Sequence, residues 1–290
     1  MVRCLIMGSS GVLANCLAIE LSTLGIEVVG LTRSIGRVSS HFKKQISCDY
    51  NVESLTSIIN LTLPDFIVNT VAEVNLVRCQ RDYKLAYKAN VEIPMSLAKA
   101  VKLSNLEPYV IHISTDNVYS EKGYSLEHET KCLNNYAFSK LMGELAFADT
   151  DGLVLRTNYL AKTNKKITYF DWVLNSFETQ SEVTLFSDVY FNATSICNIV
   201  ENVLICFKNR VTGVVNLGSK GSWTKEGFHL AVLSVLKSNL KFRPSKCPQN
   251  LVTRPLDMRM NIALARSLGL NILSRNAILS SLMNGATYDF

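Results

Sequence analysis

RCLIMGSSGVLA, Arg3 to Ala14, decides how the rest of the chain is read. An apolar run stops at Gly8 in a glycine- and serine-rich turn, and helical spacing starts at once in LANCLAIELSTLG. The glycines allow a tight bend and close approach of a ligand. The helix that follows offers unpaired N–H groups and the positive end of its dipole to an anion. The spacing departs from GxGxxG but keeps a glycine-rich strand-to-helix turn, with Ala14 small enough for the helix to pack on the sheet. Such turns also arise for steric reasons alone. The position directly after a first strand, inside a βαβ unit, favours phosphate binding. Gly8, Ser10, Gly11, Val12 and Leu13 are the candidate pyrophosphate contacts.

Outward from this turn, apolar β-rich runs alternate with helical patterns. IEVVGLTRS, FIVNTVA, PYVIHIST and GLVLRTN read as further strands, and a long helical stretch after FIVNTVA ends near Leu103. Strands that are almost continuously apolar and separated by helices indicate a parallel sheet covered on both faces. The alternation holds to about Asn158 and then loosens, although ITYFDWVLNSF and WTKEGFHLAVLSVL look helical and VVNLGS looks like a strand. The expected fold class is α/β: a doubly wound parallel sheet of Rossmann type over 1–158, then a smaller α/β C-terminal part over 159–290. A late strand at about 213–218 is expected to return to the sheet.

The end of the second strand carries no acid where sites that prefer NAD place one for the ribose hydroxyls. Thr32, Arg33 and Ser34 stand there instead, with Arg37 nearby. A guanidinium pairs with a 2′-phosphate that a carboxylate would repel, which favours NADP(H) over NAD(H). These arginines equally suit a solvated loop. Asp49, in SCDYN, is placed to accept a hydrogen bond from adenine or to serve as a turn residue.

Tyr136 and Lys140, in NNYAFSKLMGEL, are four positions apart and share a helix face. A free phenol with a pKa near 10 is a poor acid at neutral pH, and a neighbouring ammonium lowers that value. Such a phenol can protonate a carbonyl oxygen while hydride reaches the carbon. Tyrosine and lysine at this spacing are often plain helix surface. Here they follow a strand ending in Ser114, Thr115 and Asp116, where ligands of open parallel sheets bind. A hydroxyl at that strand end can hydrogen-bond the same oxygen, or can simply cap a turn.

The chain resembles the extended short-chain dehydrogenases/reductases, and within them the dTDP-4-dehydrorhamnose reductase branch. The resemblance runs through GSSGVLA, NTVAEVNLVRCQRDYKLAYKANVEIP, ISTDNVY, YAFSKLMGE, LRTNYL, FNATSICNIVENV and TRPLDMRMN. It implies a Rossmann domain, a nicotinamide cofactor and a nucleotide-activated sugar held by the C-terminal part. It implies Thr115, Tyr136 and Lys140 as a catalytic triad, with Lys140 also on the nicotinamide ribose. Asn69, Val71, Ala72 and Asn90 are then on the cofactor side, and Asp116, Asn117, Asn158 and Arg254 on the substrate side. Arg156 matches a position near the sugar nucleotide or a structural pairing residue. The chain departs from the pattern at Ala137, at Ala193 and in the proline-free loop before Tyr136, all of which bear on substrate identity. The glutamate-based metal site of some members has no counterpart here, so no metal is expected. A homodimer through the Tyr136 helix is what the superfamily suggests.

Dehydration needs an acid and a base, an Asp–Glu pair after the strand-end threonine. Asn117 stands in the second place, and an amide cannot replace a carboxylate in taking up and giving back a proton. A 4-epimerase retains NAD, which Arg33 disfavours. The expected activity is therefore NADPH-dependent reduction of a C4 ketone on a nucleotide-linked 4-keto-6-deoxy sugar, in deoxysugar or polysaccharide biosynthesis. The alternatives are a sugar-nucleotide epimerase and a non-catalytic NADP-binding regulatory subunit.

The 30 Lys and Arg against 24 Asp and Glu give a net charge of +6, dispersed along the chain. A dispersed excess suits small anions as well as nucleic acid, and no nucleic-acid partner is expected. No apolar run is long enough to span a bilayer, so no membrane partner is expected either. The eight cysteines form no CxxC pair, and without a signal peptide they suit free thiols in the cytoplasm.

Overall fold

In the computed structural model, which describes all residues except 36–39, 166–167, 180–182, 238–241, 286 and 290, the chain divides into two units. The first comprises Met1–Thr115, Asn134–Arg156 and Val200–Val215, and the second comprises Asp116–Leu133, Thr157–Ile199 and Asn216–Phe290.

The first unit is organised by β1 (Arg3–Met7), β2 (Glu27–Thr32), β3 (Lys44–Ser47), β4 (Phe66–Asn69), β5 (Tyr109–Thr115) and β6 (Leu153–Thr157). With the strand Gly213–Leu217 they form a seven-stranded sheet in the order Gly213–Leu217, β6, β5, β4, β1, β2, β3. β1 pairs in parallel with both β2 and β4, and β2–β3 and β4–β5 are also parallel. Cys4 to Met7, Phe66 to Val68 and all of β5 are buried, as strands covered on both faces must be. The order reverses between β1 and β4, and that switch point at the carboxyl ends is where open α/β sheets bind ligands.

Helices α1 (Val12–Thr23), α2 (Val52–Thr62), α3 (Leu76–Arg81), α4 (Tyr83–Tyr87), α5 (Ile93–Leu103) and α6 (Asn135–Glu144) belong to this unit. The helical stretch expected to end near Leu103 does end there, and it is divided in two places. Asp82 leaves helical geometry (φ −132, ψ 88), and its carboxylate accepts from Leu85 N–H to start α4 afresh. Lys88–Glu92 is then a π-helical turn leading into α5. That turn receives α6 at very short range: a Cβ built on Gly143 would lie 1.9 Å from the Asn90 carbonyl oxygen. Gly143→Ala must push α6 off its seat, so we expect about 1–3 kcal/mol of lost stability in urea unfolding, with activity falling alongside.

The second unit has a core of its own, built on Phe170, Phe191, Trp223, Phe228 and Ile278. Its helices α7 (Tyr169–Glu178) and α9 (Lys225–Leu236) flank short strand pairs, and α8 (Ile196–Asn209) runs from this unit into the first. Thr168 and Asp171 close α7 with a capping box. No helix among the described residues is long and apolar enough to cross a membrane.

Candidate active site

The turn after β1 has the form an anion site needs. Gly8 sits at φ +86, in the left-handed region, and a Cβ there would come 2.9 Å from Thr70 Oγ1. Its N–H donates to Leu31 O (2.9 Å) and to the Tyr50 hydroxyl (3.1 Å). Tyr50 in turn donates to Leu31 O at 2.8 Å, and burial pushes its pKa up to about 12, which keeps it protonated. Asn15, one turn into α1, donates to the carbonyls of Ser9 and Gly11. These bonds fix the loop from behind and leave Ser10 and Gly11 exposed. Gly11 is the N-cap of α1 and supplies no side-chain cap, so the N–H groups of Val12 and Leu13 have no helical partner. No acid stands in the first turn to repel an anion. The chemistry of the loop fits the pyrophosphate of a dinucleotide.

At the end of β2, Thr32 is buried and its hydroxyl donates to Ser34 O. Arg33 and Ser34 are exposed, and among the described residues the Arg33 guanidinium has no carboxylate partner. Arg37 lies outside the described residues. Asp49 is exposed, two residues beyond β3.

At the end of β4, Asn69 is fully buried. Its Oδ1 accepts from Val71 N–H (3.1 Å), and its Nδ2 donates to His112 Nδ1 (3.1 Å). His112 is the register partner of Asn69 on β5. Burial first, and the charge of Lys140 second, hold its pKa well below the usual histidine range. The ring is therefore neutral with its proton on Nε2, and it sets which way the Asn69 amide points. Val71 and Ala72 follow as partly buried wall residues. Asn90 accepts from Glu73 N–H and donates to Glu73 O and Ser139 Oγ, so it clamps the loop after β4 onto α6.

Thr115 closes β5 and is buried, as is Tyr136 near the start of α6. Asn134 caps α6 by accepting from Ala137 N–H, which positions Tyr136 in the first turn. Lys140, one turn on, is buried. Its Nζ donates to the Ile113 carbonyl at 2.8 Å, two residues before Thr115. Burial pulls the Lys140 pKa down to about 8, and Glu144 pulls it back up. Glu144 continues the same helix face one turn further. It binds Arg156 through Nε (3.0 and 3.1 Å) and Nη2 (2.6 Å) and accepts from the Ser114 hydroxyl. All three residues are buried, so Arg156 is a pairing residue beneath the helix. The spacing of Tyr136, Lys140 and Glu144 at i, i+4 and i+8 was a signal for Glu144 in the sequence. Tyr50 and His112 had no comparable signal.

In the second unit, Asp116 is buried with both carboxylate oxygens engaged: Asn117 donates to one at 2.9 Å and Asn158 to the other at 2.6 Å. Arg254 is exposed, its backbone held by the Gln249 side chain. The structure thus groups Asp116, Asn117 and Asn158 into one hydrogen-bonded set. Among the described residues, no group of three or more His, Cys, Asp or Glu side chains is arranged to hold a metal.

A family model described as RmlD substrate binding domain matches residues 2–278. A dTDP-4-dehydrorhamnose reductase of Burkholderia thailandensis is 27% identical over 80% of this chain and 78% of that protein. The spore coat polysaccharide biosynthesis protein SpsK of Bacillus subtilis is 24% identical over 81% of this chain and 83% of that protein. The crystal structure of a dTDP-4-dehydrorhamnose reductase of Bacillus anthracis in complex with NADP superposes with a TM-score of 0.86. It is 17% identical and covers 99% of each chain.

Proposed function

Because the chain belongs to the RmlD substrate binding domain family and is an oxidoreductase of the extended short-chain dehydrogenase/reductase type, we propose that it reduces the C4 ketone of a nucleotide-linked 4-keto-6-deoxy sugar with NADPH. One observation carries the chemistry: the buried Lys140 ammonium ties the Tyr136 helix to β5 two residues before Thr115. The first unit is the NADP-binding part and the second holds the sugar nucleotide. The setting is deoxysugar or polysaccharide biosynthesis in the cytoplasm, with the enzyme working as a homodimer.

When bound, the reduced nicotinamide supplies a hydride. The Thr115 hydroxyl donates to the ketone oxygen and holds it. Tyr136 delivers its phenolic proton to that oxygen as negative charge grows there. The Lys140 ammonium favours the phenolate left behind and hydrogen-bonds the nicotinamide ribose. The exposed glycine loop binds the cofactor pyrophosphate, and Arg33 binds the 2′-phosphate. Ser34, Thr32 and Asp49 complete the adenosine end, while Asn69, Val71, Ala72 and Asn90 form the wall at the nicotinamide end.

Two expectations follow from these roles. Arg33→Glu should raise the KM for NADPH at least about tenfold and improve use of NADH, because a carboxylate repels the 2′-phosphate and accepts from a ribose hydroxyl. Equal NADPH kinetics in the variant would remove Arg33 from the site. The second concerns pH. The ammonium is present below the Lys140 pKa of about 8 and lost above it. kcat/KM should therefore fall as pH rises through that value, since it reports the free enzyme.

The deciding experiment follows NADPH consumption with dTDP-, GDP-, CDP- and UDP-linked 4-keto-6-deoxy sugars. Turnover of one of them to the 4-hydroxy sugar supports the reductase. A sugar epimerised without net NADPH use, or NADPH bound with no turnover on any of them, rejects it in favour of an epimerase or a regulatory subunit.

A further inference from the structure

One buried side chain of the first unit is polar at a place where packing alone does not ask for it. His112 lies within β5 and is fully buried. Its ring stacks on Phe147, with centroids 5.2 Å apart and planes at 25°. Its Nε2 meets no hydrogen-bond partner among the described residues. A buried polar atom left in that state costs stability, and an apolar side chain would avoid the cost. What an apolar side chain could not supply is the acceptor at Nδ1, 3.1 Å from Asn69 Nδ2.

The direction of that bond is fixed from the far side of the amide. Val71 N–H can only donate, and Asn69 Oδ1 accepts from it at 3.1 Å. The amide therefore turns its NH2 to the ring, and Nδ1 must accept. A ring carrying a proton on Nδ1 would call for the Asn69 oxygen instead and set the NH2 against Val71 N–H. Burial first, and the Lys140 charge second, disfavour the doubly protonated ring. The segment that Asn69 holds lies directly against the glycine turn. A Cβ built on Gly8 would lie 3.2 Å from Val71 Cγ2 and 3.3 Å from Val71 N. Thr70 is tied to the end of β1, its N–H (3.1 Å) and its hydroxyl (2.7 Å) both donating to Met7 O. His112, Asn69, Val71 and Gly8 thus form a continuous line of contacts from β5 through β4 to the turn after β1.

We infer that His112 is a positioning residue for the cofactor: its Nδ1 locks the Asn69 amide, and through that amide holds residues 69–72 against the glycine turn in the arrangement that receives the dinucleotide. That the ligand is a nicotinamide dinucleotide rests on the reading proposed above. In this role His112 acts only through Asn69.

Titration of the full chain with NADPH, followed by the fluorescence of the cofactor, tests this without any turnover. His112→Leu should weaken NADPH binding about threefold to tenfold, the usual contribution of one such hydrogen bond. His112→Asn should bind as wild type does, because its Oδ1 can stand where Nδ1 stood. His112→Gln, whose amide reaches the Nε2 position, should bind as weakly as His112→Leu. Added to Asn69→Leu, His112→Leu should change the affinity less than about twofold, whereas a residue serving the fold alone would multiply the two losses. Nitrogen NMR of histidine-labelled protein, with four histidines in all, should show His112 protonated at Nε2 only. Should His112→Leu fail to fold, the comparison of His112→Asn with His112→Gln and the NMR experiment decide. NADPH affinity in His112→Leu equal to that of wild type, equal affinity in His112→Asn and His112→Gln, independent losses in the double variant, or a proton on Nδ1 overturns the inference. Wild type that fails to bind NADPH overturns it together with the cofactor reading. NADPH binding that depends on His112 without ketone reduction leaves it standing and rejects the reductase. Ketone reduction with unchanged NADPH affinity in His112→Leu does the reverse.

Discussion

Tyr136→Phe is expected to lower kcat by about 10²–10⁴-fold, the usual contribution of a positioned general acid. NADPH should bind as it does to wild type. The substitution removes one oxygen and keeps the ring, which packs with Cys79, Ala86 and Leu76 at the start of α6. The ring packing therefore persists, and the loss reads out the hydroxyl. On the proposed roles Thr115 still holds the ketone oxygen, and Lys140 still donates to Ile113 O, so binding and placement should persist while the alkoxide has no acid at hand. Stopped-flow oxidation of bound NADPH, with the best substrate of the panel, separates this step from product release. A variant that retains most of wild-type kcat would exclude Tyr136 as the acid.

Glu144→Ala should cost about 3–5 kcal/mol of stability, the typical penalty for removing one partner of a buried ion pair. Arg156 and Glu144 are only 3% and 4% exposed, so water cannot replace the carboxylate that the guanidinium loses. The Ser114 hydroxyl loses its acceptor in the same step. Urea unfolding measures the loss. Combining Glu144→Ala with Arg156→Met should destabilise less than Glu144→Ala alone, because the stranded charge is gone. The same substitution has a catalytic readout. Glu144 raises the Lys140 pKa, so without it the ammonium deprotonates at lower pH, and the basic limb of kcat/KM should move to lower pH. An unchanged limb with lost stability would make the cluster purely structural.

The features legible in the sequence were those written in a short window. The glycine turn shows its purpose in a dozen residues, because strand burial, turn geometry and helix start are local. The parallel sheet shows in repeated apolar runs for the same reason. Tyr136 and Lys140 advertise themselves by helical spacing, and Thr115 by its place at a strand end. The helical stretch before Leu103 is legible, but its division at Asp82 is not, because an Asp82 cap looks like any surface aspartate until its carboxylate is seen on Leu85 N–H. Asn90 stands out in the sequence only as a motif position that the resemblance assigns to the cofactor side. Its job of joining Glu73 to Ser139 is not legible there, since neither partner is within a few residues of it.

By itself the sequence determined the α/β class, the glycine-rich turn between the first strand and its helix, the absence of an acid after the second strand and the four-residue spacing of Tyr136 and Lys140. Each depends on backbone preference, side-chain period or charge within one or two elements. Only the tertiary structure decided that His112 orients Asn69, that Tyr50 holds the Gly8 N–H, that Glu144 joins Arg156 and Ser114 under the helix, and that Lys225 rests on Tyr169 and Phe191. These pairs lie far apart along the chain. Sheet order, strand register and helix packing bring them together, and burial then makes each contact count, because a polar group removed from water must find its partner wherever the fold places one.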